Sequence, residues 1–400
     1  MVQERLSSTH YIKNGQDTIL FPLKESHLNT GLRSVPVGLC PTSFVDPQIG
    51  LHYSSRAIEE CSSWNLSEVI YLLYSGHRPS EEELLSWLSQ IDSQEECPAE
   101  IIETLSQIPA LQSPMKLFSI ALLLLGMHRS LQGYRKDFFH LLKNAPILCA
   151  HVMNAHASHR QPMAFSPSFD YVNSFLDNLG AFSFDRKLWQ QFLPLFINLH
   201  LDHGGGNLST FVGKAVASGL EDLYGSLAAA MSALEGPRHG QANQKALELV
   251  REVHSRFGEA LSREQLSQWL EERLERKELI YGFGHAVLRR EDPRATILYK
   301  FLEQHFPQHA LFTVARKMRE MIPTLLMEKK KISNPYPNVD AVSGLSLFLL
   351  GCRRLNYFPL FFGMARLIGI SIQIIYERCE ANSGKGTPIV RPKYLFCPRE

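Results

Sequence analysis

The sequence predicts a mainly α-helical protein, and three observations carry that expectation. Apolar residues recur at helical spacing through most of the chain from about residue 59 onward. No run alternates apolar and polar residues long enough, or often enough, to build a sheet. No G-x-G-x-x-G follows a strand, and there is no Walker loop or fixed-period repeat.

In chain order, residues 1–58 show little helical periodicity. Gly31 to Gly50 is rich in Pro, Gly, Ser and Val, so minor β structure or turns are expected only there. Pro79-Ser80-Glu81-Glu82-Glu83 reads as a capping box, followed by Leu84, Leu85, Trp87, Leu88 and Ile91. Pro98, Pro109 and Pro114 punctuate short helices. Helices are predicted over 116–128, 137–155, 169–179 and 189–201, the last ending in His200-Leu201-Asp202-His203. The open loop Gly204-Gly205-Gly206-Asn207 precedes two Ala- and Gly-rich helices, 209–218 and 223–234, suited to close packing. Helices follow over 262–278, over 295–331 with a break near Pro323, over 345–353 after a Pro335–Gly344 turn, and over 357–376. The tail from Asn382 is rich in Gly and Pro.

Four hundred residues, 44% hydrophobic and 20% charged, suit a globular protein with a large core. A net charge of +1 from 41 basic and 40 acidic residues gives no reason to expect a nucleic-acid partner. The seven cysteines are scattered, with no C-x-x-C pair, which points to a reducing compartment with neither a disulfide framework nor a zinc site. Met1 to Thr18 has no apolar signal core, and Glu4 and Asp17 interrupt any presequence, so a cytoplasmic protein is expected, or a matrix protein if eukaryotic. Tyr357–Tyr376 is long enough to span a bilayer, but Arg366 sits in its middle. A helix buried inside the protein, with Arg366 turned toward an anionic ligand, is the better reading, and no membrane partner is expected.

The chemistry concentrates around Gly236-Pro237-Arg238-His239-Gly240-Gln241. A break in the chain holds His239, and an amphipathic run (Ala246, Leu249, Val250, Val253, Phe257) follows at once. His239 is therefore expected just before a helix or in its first turn, where backbone N–H groups disfavour protonation and keep the ring neutral. A second glycine-framed histidine occurs at Gly282-Phe283-Gly284-His285, and an aspartate in Pro337-Asn338-Val339-Asp340. Singly, each has a bland reading as a structural histidine or a turn cap. With His200/Asp202/His203, Arg289, Arg294, Arg366 and Arg391 they suggest two imidazoles, one carboxylate and several guanidinium groups. Such a set suits proton abstraction beside a carbonyl, with a polyanionic partner held by arginines. A second assembly is open: His200, Asp202 and His203 as metal ligands, completed by His239 or His285, in a metal-dependent hydrolase. The nearby arginines, which would repel a cation, weigh against it.

Four motifs carry a family resemblance. His200-Leu-Asp-His-Gly-Gly-Gly-Asn207, Gly236-Pro-Arg-His-Gly-Gln-Ala-Asn243, Gly282-Phe-Gly-His-Ala-Val-Leu-Arg289 with Asp292-Pro-Arg294, and Asn334-Pro-Tyr-Pro-Asn-Val-Asp340 resemble, in order and spacing, those of citrate synthases, most closely the mitochondrial, dimeric type. The resemblance is clear from about 200 to 393 and traceable from about 31. It implies an all-α, citrate synthase-like fold, with a large domain (1–240 plus 346–400) interrupted by a small one (241–345). It implies condensation of acetyl-CoA with oxaloacetate, with 2-methylcitrate synthesis from propionyl-CoA as the alternative, and no metal or cofactor.

The roles implied by the resemblance are these. Asp340 takes a proton from the acetyl methyl group, His239 donates to the thioester carbonyl, and His285 protonates the ketone of oxaloacetate. His203, Arg294 and Arg366 bind oxaloacetate, with Arg391 reaching in from the other subunit of a homodimer. Leu279, Ile280, Tyr281, Gly282, Phe283 and Gly284 line the adenine site, and Arg289, Arg33 and Arg135 meet CoA phosphates. The sequence departs from the family pattern at Arg238, usually apolar; at Gly204, where the mitochondrial type has an acid; at Val342, where that type has His; at Ser113, usually His; and at an altered arginine-glycine element, His52-Tyr-Ser-Ser-Arg56.

Overall fold

The computed structural model describes residues 21–109, 113–129, 132–166, 168–329 and 334–397, so the reading of Met1–Thr18 lies outside the described residues. The described residues fall into two compact units, divided between Leu39 and Cys40. In the first, a short 3-10 turn spans Glu25–Asn29, and Arg33 is exposed.

The second unit opens with a three-stranded antiparallel sheet: β1 (Ser43–Asp46), β2 (Gly50–Tyr53) and β3 (Arg56–Ala57), in that order. The Asp46 carboxylate accepts from the N–H groups of Gln48 and Ile49 at 2.7 and 3.0 Å and closes the β1–β2 turn. The remainder is helical. The helices are α1 (Ile58–Cys61), α2 (Leu66–Ser75), α3 (Glu81–Asp92), α4 (Ala99–Gln107), α5 (Pro114–Met127), α6 (Tyr134–His156), α7 (Tyr171–Asn178) and α8 (Arg186–His200). They continue as α9 (Leu208–Ala217), α10 (Leu223–Leu234), α11 (Ala242–Phe257), α12 (Arg263–Glu275), α13 (Pro293–His305), α14 (Ala310–Glu328), α15 (Asp340–Leu349) and α16 (Phe358–Ile375). The expected capping box starts α3: the Ser80 N–H donates to Glu83, and the Glu83 N–H to the Ser80 hydroxyl.

Two predicted boundaries move. Pro323 lies inside α14, and the break falls at Phe306–His309 instead. Pro307 follows Phe306 and disfavours its helical conformation, while the His309 ring accepts from the Leu311 N–H to start the next helix. The helix expected over 345–353 begins earlier, at Asp340 itself, because the Asn338 side chain accepts from the Asp340 N–H at 2.9 Å and turns the chain into α15.

Helix α16 is the core of the unit. All its residues except Phe362 are buried. The stretch Leu355–Glu380 passes the length and hydropathy test for a membrane span, yet 94% of that window is buried within the protein, as the internal arginine suggested. It packs against α6, α8, α9 and α10. Glycine permits close approach to it: a Cβ on Gly213 of α9 would stand 3.0 Å from Ile370 and 3.2 Å from Ala230.

One clasp positions the chemistry. The Gly284 N–H donates to the Tyr336 carbonyl (2.9 Å), the Asn338 N–H to the Gly282 carbonyl (2.9 Å) and the Asp292 N–H to the Pro337 carbonyl (3.0 Å). The Asn338 amide adds a bond to the Gly284 carbonyl at 2.8 Å. Gly282 has φ +85°, and a Cβ there would stand 2.6 Å from the Ala341 Cα. Gly282→Ala is therefore expected to lower the unfolding free energy by about 1–3 kcal/mol, the range for overpacking a tight site, measured by urea denaturation.

Candidate active site

Five short segments supply the predicted side chains: the 201–207 loop between α8 and α9, the 235–241 turn before α11, the 279–292 loop leading into α13, the start of α15 and the middle of α16. Burial and charge tie them together. His203 feels Arg294, His285 and Arg366, while Asp340 feels Arg294 and Arg366, and His239 feels Arg366.

His239 lies three residues before α11, in a turn closed by its own N–H on the Gly236 carbonyl at 2.9 Å. The sequence placed it at a helix start. The helix that fixes the ring is nevertheless α9, because the Ser209 N–H in its first turn donates to Nε2 at 3.3 Å and the Ser209 hydroxyl lies 2.9 Å from the same nitrogen. A ring nitrogen that accepts from a backbone N–H carries no proton, so the neutral ring holds its proton on Nδ1. Burial first, then Arg366, lowers its pKa to about 4. Arg238, alongside it, is exposed to solvent.

His285 is fixed the same way with the opposite nitrogen. The N–H groups of Val287 and Leu288 both donate to Nδ1, at 3.0 and 2.9 Å, leaving the proton on Nε2. Burial and then Arg294 lower its pKa to about 4. Its ring meets that of His203 edge to face, with centroids 5.4 Å apart. The Nε2 of His203 is buried without a hydrogen-bond partner, and burial with its cationic neighbours pushes the ring well below the usual histidine range.

Asp340 is the first residue of α15, and among the described residues no hydrogen bond or ion pair reaches its carboxylate. Burial is the main cause that raises its pKa to about 6, with Asp292 adding to the rise and both arginines opposing it. Arg294 is buried and paired with Asp292, 2.7 Å from Nη2, an aspartate that also caps α13. Arg366 is buried too. Its Nε donates to the His200 carbonyl at 2.9 Å and its guanidinium lies over the Phe362 ring at 4.8 Å. No carboxylate among the described residues pairs with it, and burial lowers its pKa to about 10. A buried, unpaired guanidinium offers two outward N–H groups to a carboxylate.

The other expected residues lie further out, although the charge of Arg289 still acts on His285. Leu279 is exposed and Ile280 buried, with Tyr281, Phe283 and Gly284 in the half-buried loop around buried Gly282. Arg289 is exposed, and its Nη1 donates to the Val287 and Leu288 carbonyls. Arg135 is engaged by Glu380 (2.7 Å) and the Tyr74 hydroxyl (2.9 Å). Arg391 is exposed in an extended tail anchored by the Val390 N–H on the Ser218 hydroxyl.

His200 and Asp202 do not turn toward a common point with His203. The His200 Nδ1 lies 2.7 Å from the Phe196 carbonyl, and Asp202 is held by Thr42, Ser43 and Gln373. Among the described residues no group of three or more His, Cys, Asp or Glu is arranged to hold a metal ion. Of the departures from the family pattern, Gly204 takes φ +72°, Val342 is buried, His52 stacks on Phe44, and Ser113 caps α5 and donates to Glu235 at 2.6 Å.

Sequence reasoning missed Ser209 and Phe362. Ser209 had a signal: it stands just after Asn207, a helix cap, so its backbone N–H is one of the unpaired groups of a first helical turn. Phe362 had none, being one apolar residue in an apolar helix.

The family described as citrate synthase, C-terminal domain, matches residues 31–393. The chain is 32% identical over 387 residues to a mitochondrial citrate synthase of Daucus carota, covering 91% of this chain and 80% of that one. It is 30% identical over 390 residues to a probable mitochondrial citrate synthase of Glossina morsitans morsitans, covering 91% and 82%. The crystal structure of citrate synthase from Thermotoga maritima superposes with TM-score 0.77 at 25% identity, over 92% of this chain and 95% of that one. The fold is shared as well with the Thermoplasma acidophilum enzyme in ternary complex with carboxymethyl coenzyme A and oxaloacetate, at TM-score 0.78 and 21% identity, over 93% and 96%. With the family matched across nearly the whole chain, and that fold around two histidines and an aspartate, the protein belongs to the citrate synthase family of condensing acyltransferases.

Proposed function

We propose that the site condenses acetyl-CoA with oxaloacetate and hydrolyses the citryl thioester to citrate and CoA, the entry step of the tricarboxylic acid cycle. One observation carries the reading: an unpaired carboxylate with a raised pKa stands among the same charges as two neutral histidines, each with one nitrogen fixed as acceptor and the other left to donate. The Asp340 carboxylate removes the weakly acidic methyl proton. His239 Nδ1–H meets the charge that develops on the thioester oxygen, so an enol forms. The enol carbon attacks the ketone of oxaloacetate, and His285 Nε2–H protonates the ketone oxygen as the bond forms. Arg366 and Arg294 take the two carboxylates of oxaloacetate, and His203 adds a hydrogen bond.

In this reading the 279–284 segment receives the adenine, and Arg289 a CoA phosphate. The protein works as a homodimer to which the neighbouring subunit contributes Arg391, and residues 241–345 close over the substrates to exclude water. It needs no metal or cofactor and acts in a bacterial cytoplasm, or in a mitochondrial matrix if the source is eukaryotic. The test is thiol release from acetyl-CoA and from propionyl-CoA, with and without oxaloacetate, before and after EDTA. Oxaloacetate-dependent release from acetyl-CoA that survives EDTA is expected. A strong preference for propionyl-CoA would make the enzyme a 2-methylcitrate synthase, and no oxaloacetate dependence with either thioester would sink the proposal.

A pH profile adds an independent check. The base must be ionised, and its pKa is raised to about 6. So kcat/KM rises with pH through about 6, ten-fold per pH unit below it, and levels off above. Both catalytic histidines, at about 4, are already neutral there and add no further limb. A fall in kcat/KM between pH 5 and 7 would contradict the assignment.

A further inference from the structure

Among the buried polar side chains that the chemistry does not use, Gln373 bonds directly to the His203 loop. Gln373 is almost completely buried near the end of α16, and every polar atom of its amide is engaged. Its Nε2 donates to the Asp202 carboxylate at 2.8 Å and to the Gly204 carbonyl at 3.3 Å. Its Oε1 accepts from Lys214 at 3.4 Å, and Lys214 is paired with Glu377 at 2.9 Å.

Its place on the helix gives this network a direction. Positions 366, 369 and 373 are spaced i, i+3 and i+7, so they form a single stripe along α16. The 200–204 loop lies along that stripe in register. The His200 carbonyl accepts from Arg366 Nε. At Gly369 the loop passes so close that a Cβ would collide with the Leu201 carbonyl oxygen. Asp202 and Gly204 are then held by Gln373. From the other side, Ser43 grips the same loop, donating to Asp202 at 2.9 Å and accepting from the Gly204 N–H at 2.7 Å. Between these anchors stands His203, whose N–H donates to Asp202 at 2.8 Å and whose ring faces His285 with one buried nitrogen unpartnered.

We propose that Gln373 is a positioning residue for the dicarboxylate substrate: it holds the His203 loop in register with Arg366, so that one helix face sets both groups against the same oxaloacetate. The inference rests on the proposed function. Gln373 touches no substrate itself and acts through His203.

The experiment compares wild type with Gln373→Met, which keeps the length of the side chain and removes its hydrogen bonds, and with the milder Ser43→Ala, which loosens the opposite anchor if the first variant folds poorly. KM for oxaloacetate is expected to rise about ten-fold in Gln373→Met, the size of one lost hydrogen bond to a charged group, and in the same direction but less in Ser43→Ala. KM for acetyl-CoA and the acid limb of the pH profile should stay within two-fold of wild type, by the same hydrogen-bond argument. In a His203→Gln background, adding Gln373→Met should raise the oxaloacetate KM little further, because both changes act through one group. Equal rises in both KM values in the variants, or additivity in the double variant, would overturn the positioning role. Failure of wild type to release thiol with oxaloacetate would instead remove the functional reading beneath it.

Discussion

Asp340→Asn is expected to lower turnover by about 10²- to 10⁴-fold, the range general-base catalysis contributes, while oxaloacetate still binds. Steady-state thiol release and calorimetric titration with oxaloacetate check the two halves. The same variant carries a stability signature of known sign. The native pKa, raised from 3.8 to about 6, lies above the ordinary value, so folding disfavours the ionised form. That penalty is absent well below pH 4, grows as pH rises toward 6, and levels off above at no more than about 3 kcal/mol. Asp340→Asn should therefore be more stable than wild type at pH 8, with the difference vanishing well below pH 4. Near-normal turnover in the variant would remove Asp340 from the role of base.

Arg366→Met should weaken oxaloacetate binding by about 30- to 5,000-fold, since truncating one partner of a buried charge pair typically costs about 2–5 kcal/mol. Unlike most buried replacements, it should not destabilise the free protein. The guanidinium is buried among apolar α16 residues with no carboxylate partner among the described residues, and burial is the leading cause of its lowered pKa. A methionine of similar length removes that desolvation cost, so the unfolding free energy should hold or rise by about 1–3 kcal/mol. Denaturation of the ligand-free protein, set beside an oxaloacetate titration, separates the two effects. An unstable variant with unchanged affinity would make Arg366 a structural residue.

Much of this was legible in the sequence because glycine, proline and polar side chains in apolar surroundings are conspicuous. The helical class, the buried reading of α16 and the cluster of His203, His239, His285, Asp340, Arg294 and Arg366 all follow from such marks. What stayed hidden depends on contacts between segments far apart in sequence. Periodicity cannot say that α9, rather than α11, fixes His239, because that bond joins residues 209 and 239 through the packing of two helices. The outward turn of Arg238 was equally unreadable, since a turn residue has no periodic face. Pro323 misled because a proline's missing N–H breaks a helix only if the surrounding packing does not hold it, and α14 packs against α11, α12 and α15.

The clasp between residues 282–292 and 336–338 has a kinetic corollary. It carries His285 on one jaw and Asp340 at the end of the other, sewn by three main-chain bonds and one amide. If it springs open, the proton donor and the proton acceptor are lost in the same event. Thermal inactivation of a population should then follow a single first-order decay, with each molecule fully working or fully silent. The amide protons of Gly284, Asp292 and Asn338 should exchange with deuterium at one shared rate, and that rate should set the lifetime of activity.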